Sequence, residues 1–219
     1  MTESQASEAV SGERLRLFKP AFGEEECRAV TEVLAGGWIG RGPRTLAFEE
    51  RFAGYLGVRH AVSLNSATAA LHLAMIAAEV DGQEVLTSSM TFVSATQAIV
   101  HAGGRPVFCD IDPDTLNVTA DELRKKITPT TRAIMVVHYG GHACDMDPIL
   151  ALAGEHGLTV VEDTAHGCGG RYKGRMLGAL GDIGCFSFQA TKNLTTGDGG
   201  MLVTDDDAIA DRVRKLRWA

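Results

Sequence analysis

The chain is 219 residues long, enough to bury a proper core, and length alone allows one large domain or two small ones. It is 45% hydrophobic and 22% charged, and its formal net charge of −7 argues against a nucleic-acid binder, which carries a basic stripe. No apolar run is long enough to span a bilayer, and the opening MTESQASEAVSGE lacks the basic and apolar regions of a secretory signal. The five cysteines (Cys27, Cys109, Cys144, Cys168, Cys185) have no paired spacing, so a cytoplasmic chain with reduced thiols is expected.

Residues 1–16 read as a disordered lead-in and 17–219 as one domain, with no repeat or linker dividing it. Gly23 to Leu34 has helical spacing and an acidic first turn (Glu24, Glu25, Glu26), which suits the helix dipole. The GGWIGRGP stretch from Gly36 to Pro43 breaks that helix, and a second spans about Thr45 to Leu56, stopping at Gly57. Strand-like runs then alternate with helix-like ones. The strands are AVSLNS (61–66), EVLTSS (84–89), RPVFCDI (105–111), AIMVVHY (133–139) and LTVVEDT (158–164). The helices between them are Ala67–Ala78, Val93–Ala102, Ala120–Ile127 and Met146–His156. This rhythm gives parallel strands joined by crossover helices, and near-continuous apolar strands such as AIMVV fit a sheet covered on both faces. Beyond Thr164 the rhythm changes: GDIGCFSF (181–188) and GGMLVTD (199–205) are separated only by a glycine-rich loop, so one strand should run the other way. The fold class is α/β, a mostly parallel mixed sheet of about seven strands with helices on both faces. The basic cluster Arg212, Arg214, Lys215 and Arg217 reads as the solvated face of a terminal helix.

In such a sheet, ligands sit beyond the carboxyl ends of the strands. Ser66, Ala67 and Thr68 end a strand and open a helix, where free N–H groups form an anion site; taken alone, a plain Ser/Thr cap is the better reading of them. Asp163 follows the apolar run LTVVE, where a carboxylate needs a cation such as a pyridinium nitrogen, or else caps the next turn. His166, three residues on, can reach the same ligand or be structural. Lys192 follows a hydrophobic strand; an amine desolvated there can form a Schiff base, whereas a solvated loop lysine cannot. The hydroxyl of Ser187 can face the same cleft. His138, His142 and Cys144 lack a complete metal-ligand set, so no metal is expected.

An anion site, then an acid, then a lysine is an order that resembles fold-type I pyridoxal-phosphate enzymes. The segments FKPAFGEEE, GGWIGRGP, LNSATAALHLA, TFVSATQAI, VFCDIDPDTLNV, HYGGHACDMD, VVEDTAHGCGG and SFQATKNLTTGDGGMLVT are similar to the DegT/StrS family of sugar aminotransferases, from about Leu17 to the end. The resemblance implies pyridoxal 5′-phosphate bound covalently to Lys192, which then shuttles a proton. It implies that Asp163 pairs with the pyridine nitrogen, that His166 lies near the phenolic oxygen and that Phe92 stacks on the ring. Ser66, Ala67, Thr68 and Ser187 would hold the phosphate. Gln189 departs from the His or Tyr the family has there, and the Gly36–Pro43 loop falls near the substrate. The implied reaction moves an amino group from glutamate or glutamine to a keto group of a nucleotide-linked deoxysugar. A keto-cyclitol acceptor and a non-catalytic regulatory relative are the alternatives; Lys192 counts against the family's dehydratases, which carry histidine instead. The resemblance also implies a C-terminal small domain beyond this chain, a homodimer when full-length, and weak cofactor binding and poor activity for these residues alone.

Overall fold

The computed structural model describes residues 18–217, so the expected lead-in over 1–16 lies outside the described residues. Helix α1 (Glu24–Ala35) begins where the Gly23 amide donates to Oε2 of Glu26 at 2.6 Å. Helix α2 (Pro43–Leu56) starts two residues before the sequence suggests, because the fixed φ of Pro43 suits the first helical position; Gly57 ends it in the left-handed region at φ 77°. There follow β1 (His60–Leu64), α3 (Ala67–Ala77), β2 (Glu84–Ser88), α4 (Val93–His101), β3 (Arg105–Cys109) and α5 (Ala120–Arg124). Next come β4 (Thr131–Val137), α6 (Met146–His156) and β5 (Thr159–Asp163). The last elements are β6 (Arg171–Tyr172), β7 (Arg175–Met176), β8 (Ile183–Ser187), β9 (Gly200–Thr204) and α7 (Asp207–Leu216). Helix α5 stops at Arg124 rather than Ile127, its end closed by a tight bond from the Lys126 amide to the Leu123 carbonyl at 2.9 Å.

The main sheet has seven strands in the order β1-β9-β8-β5-β4-β2-β3. Strand β9 runs antiparallel to both neighbours, and the remaining pairs are parallel. The expected reversed strand is therefore β9. The β6–β7 hairpin was not foreseen: strands of two residues are too short to show alternation.

Alternation along the strands builds two layers. Val85, Ala133, Met135, Val161, Ile183, Cys185 and Leu202 pack under α3, α4 and α7. Their neighbours Leu86, Ile134, Val136 and Val160 point the other way, onto α5 and α6. On that second side Phe52 of α2 meets Phe186 and Phe188 edge-on, at centroid distances of 5.1 and 5.3 Å. Helix α1, by contrast, buries no residue.

The terminal basic cluster is not a purely solvated face. The Nη1 of Arg217 lies 2.5 Å from Oε1 of Glu49 and 3.0 Å from the Ser63 carbonyl, with only 9% of its side chain exposed. Glu49 also accepts from the amide and hydroxyl of Ser63, so a buried carboxylate on α2 recruits the arginine. Arg212 pairs with Glu79 and Arg214 with Asp211, both at the surface.

Candidate active site

Strand β1 delivers Ser66 to the start of α3. Its Oγ accepts from the Ala69 amide at 3.1 Å, while the Ala67 and Thr68 amides find no acceptor among the described residues. Two free N–H groups at the positive end of an eleven-residue helix make an anion site. Gly200 brings the sheet up against it: a Cβ there would lie 2.3 Å from the Ser66 carbonyl. The same Gly200 pairs with Ser187 across β8–β9, which sets the buried Ser187 hydroxyl beside the α3 start.

Asp163 ends β5, on the side of the sheet that faces α3 and α4, and is 5% exposed. Its Oδ1 accepts from the Ala165 amide at 3.1 Å, and no cationic side chain among the described residues forms an ion pair with it. Desolvation pushes its carboxyl above the usual aspartate value, with the Ala165 amide pulling the other way. His166 follows in the turn; desolvation, then the nearby charge of Lys192, lower its pKa and favour the neutral ring.

Lys192 sits in the loop after β8, its amide bonded to the Gln189 carbonyl at 2.8 Å. The amine is half-buried, and desolvation lowers its pKa while the charge of Asp163 opposes that. The loop is tied down around it. Oε1 of Gln189 accepts from both the amide and the hydroxyl of Thr191, and Nδ2 of Asn193 donates to the Cys168 carbonyl at 2.7 Å. Phe92, at the start of α4, presents an exposed ring.

All eight residues singled out in the sequence, Ser66, Ala67, Thr68, Phe92, Asp163, His166, Ser187 and Lys192, line one cavity of about 570 Å³. Ser94 and Asp198 line the same walls and were not singled out in the sequence. Ser94 lies two residues beyond Phe92, and its place in the first turn of α4 was the signal available. His138, weighed as a metal ligand, is instead a buried partner of Glu162 at 2.9 Å; no metal-holding group of His, Cys, Asp or Glu occurs among the described residues.

The donors suit one kind of ligand. Two free amides and a hydroxyl match a phosphate, a buried carboxylate without a cation matches a ring nitrogen that carries a proton, and a half-buried amine matches an aldehyde.

This doubly covered sheet, with an acid at the end of β5 and a lysine in the loop after β8, has the fold of the pyridoxal-phosphate-dependent enzymes of fold type I. The chain belongs to the DegT/DnrJ/EryC1/StrS aminotransferase family, whose sequence profile matches residues 20–219. Pyridoxal phosphate is the cofactor of that family's aminotransferases. The chain is 52% identical over 198 residues to the spore coat polysaccharide biosynthesis protein SpsC of Bacillus subtilis, covering 90% of this chain and 51% of SpsC. It spans about half the length of the curated relatives it matches. Among solved structures, the aminotransferase TlmJ from Streptoalloteichus hindustanus superposes with a TM-score of 0.89 at 48% identity, over 93% of this chain and 56% of TlmJ. DesI, solved with its TDP-sugar product, gives 0.82 at 43% identity, over 87% of this chain and 49% of DesI. Spr1654 from Streptococcus pneumoniae, solved in PLP and PMP forms, gives 0.88 at 32% identity, over 92% of this chain and 57% and 57% of those chains.

Proposed function

We propose that the protein transfers an amino group from glutamate or glutamine to a keto group of a nucleotide-linked deoxysugar, with pyridoxal phosphate held in the cavity described above. The observation that carries this reading is the convergence of the α3 N-terminus, Asp163 and Lys192 on one cavity. The cofactor supplies an aldehyde for the amine and a ring that accepts electrons. The Ala67 and Thr68 amides and the Ser187 hydroxyl hold its phosphate. Asp163 keeps the ring nitrogen protonated, and Phe92 covers the ring face. Nζ of Lys192 would hold the cofactor's aldehyde carbon and, when free, would move a proton at the donor's α-carbon. His166 stands beside the ring as a neutral hydrogen-bonding group.

Support for a nucleotide sugar comes from the DegT/DnrJ/EryC1/StrS membership and from DesI, whose structure holds a TDP-sugar. In this reading the whole enzyme is a cytoplasmic homodimer; α1, which buries none of its residues, and the exposed Trp38 and Ile39 after it are surfaces a second copy can cover. Among the described residues no helix is long and apolar enough to cross a membrane.

The test supplies the protein with pyridoxal phosphate, glutamate and a panel of nucleotide-linked ketosugars and keto-cyclitols, then measures 2-oxoglutarate and aminated product. Amination of a nucleotide ketosugar is the expected result. Amination of cyclitols alone, or release of 2-oxoglutarate with no acceptor on the panel, would overturn the substrate assignment.

A further inference from the structure

We infer that the N-terminal end of α4 is a second anion site in the same cavity, built for the carboxylate of the amino donor. The inference rests on the cofactor reading given above. The N-cap of α4 is Phe92, whose side chain makes no cap hydrogen bond. The Ala95 amide reaches the Phe92 carbonyl at 3.1 Å, which leaves the Val93 and Ser94 amides without an acceptor among the described residues. Nine residues of aligned peptide dipoles stand behind those two N–H groups.

Two hydroxyls mark the place independently. Ser94, at the second helical position, is 6% exposed and lines the cavity, yet its hydroxyl has no hydrogen-bond partner among the described residues. Thr91, just before the cap, lines the same cavity, and its Oγ1 is buried with no partner among the described residues. Buried polar groups are normally satisfied, so the unpartnered Thr91 Oγ1, with the Ser94 hydroxyl beside the same bare helix end, points to a ligand that completes them.

A carboxylate fits best. The phosphate site at α3 is already furnished with Ser187, and an amino-acid donor brings a further anion that must be neutralised. No arginine lines the cavity among the described residues, and Lys192 is engaged with the cofactor. Asp198 on the wall repels an incoming carboxylate, while the α4 end attracts it. Two amides and two hydroxyls offer four donors, the number of lone-pair sites on a carboxylate.

The test uses the cofactor-loaded protein with Ser94→Ala and Thr91→Val, separately and together, and maleate as an unreactive dicarboxylate probe. Calorimetry should show maleate binding about tenfold weaker in the double variant, the scale of one lost hydrogen bond to a charged group. Pyridoxal-phosphate affinity, read from absorbance titration, should stay within about twofold, and Ser187→Ala should show the opposite pattern. Unchanged maleate affinity in both single variants and the double overturns the inference. An equal loss of cofactor affinity also overturns it, by assigning the α4 end to the cofactor's phosphate. A wild-type chain that takes up no cofactor sinks the cofactor reading itself, and the same titration shows that separately.

Discussion

His138 and Glu162 meet across 2.9 Å with both side chains fully shut off from solvent. Glu162 also accepts from the amides of Gly178, Leu180 and Gly181 at 2.7–2.8 Å, so one carboxylate fastens the loop before β8 to the back of β5. Nδ1 of His138 accepts from the Cys144 amide at 3.2 Å, which places the ring proton on Nε2 and makes the ring a neutral bridge. The backbone N–H of His138 donates to the Asp163 carbonyl, so this network holds the strand end that carries the acid.

That geometry orders three variants. Glu162→Ala strands three buried amides and should cost about 3–5 kcal/mol in urea unfolding. His138→Leu fills the space but leaves the Cys144 amide unpaired and Glu162 one donor short, about 2–3 kcal/mol. His138→Gln keeps a donor toward Glu162 and should be milder than Leu. A leucine variant as stable as wild type would mean that the network adds nothing.

Gly200→Ala tests the close approach of β9 to α3. A methyl group there meets backbone atoms of Ser66 and Ala67 at 2.3–2.6 Å, and backbone cannot rotate away as a side chain can. The expected cost is about 1–3 kcal/mol of stability, together with weaker cofactor binding, because the phosphate end of α3 is pushed out. Gly197→Ala, in open space but at φ 87°, is strained only locally and should spare cofactor affinity by the same titration.

Borohydride reduction of the cofactor-loaded protein, followed by peptide mass mapping, should place the label on Lys192. Lys173 is the informative control: it is exposed and held by Asp147, and that hydrogen bond pushes its pKa up, which keeps it a cation. Lys192, half-buried and with its pKa lowered, has the larger share of reactive neutral amine. A label on Lys173 would overturn the assignment, and Lys192→Ala should abolish labelling.

Much of this was legible because the residues in question sit at strand ends. Near-continuous apolar runs between helix-like segments gave the strands of the main sheet, and the glycine-rich gap between the Ser187 and Gly200 segments exposed the reversed strand. The residues that line the cavity were readable as types, a helix start, an acid after an apolar run and a lysine after another. What escaped was set by tertiary partners. Nothing local in Glu162 says that three amides from residues 178–181 converge on it. Arg217 looked solvated because Glu49 lies 168 positions away. The β6–β7 hairpin escaped through its shortness.

Asp163 makes the sharpest pH prediction. Without cofactor its carboxyl is buried and forms no ion pair among the described residues, and desolvation raises its pKa above the ordinary 3.8. The folded state then binds a proton more tightly than the unfolded chain does. Between the ordinary value and the raised one, the folded form holds more protons, so stability falls as pH rises. This is opposite to the salt-bridged aspartate, whose contribution is lost on acidification. Each tenfold difference in proton affinity is worth about 1.4 kcal/mol. Asp163→Asn keeps the shape and removes the charge. Cofactor-free Asn variant should therefore gain on wild type in unfolding midpoint as pH is raised from about 4 toward neutrality, and the gain should level off above the folded pKa. Cofactor loading reverses the comparison: the ring cation pairs with wild-type Asp163, and the Asn variant should bind pyridoxal phosphate at least about tenfold more weakly. Parallel pH profiles for the two cofactor-free proteins, with equal cofactor affinity, would show that Asp163 only caps its turn through the Ala165 amide.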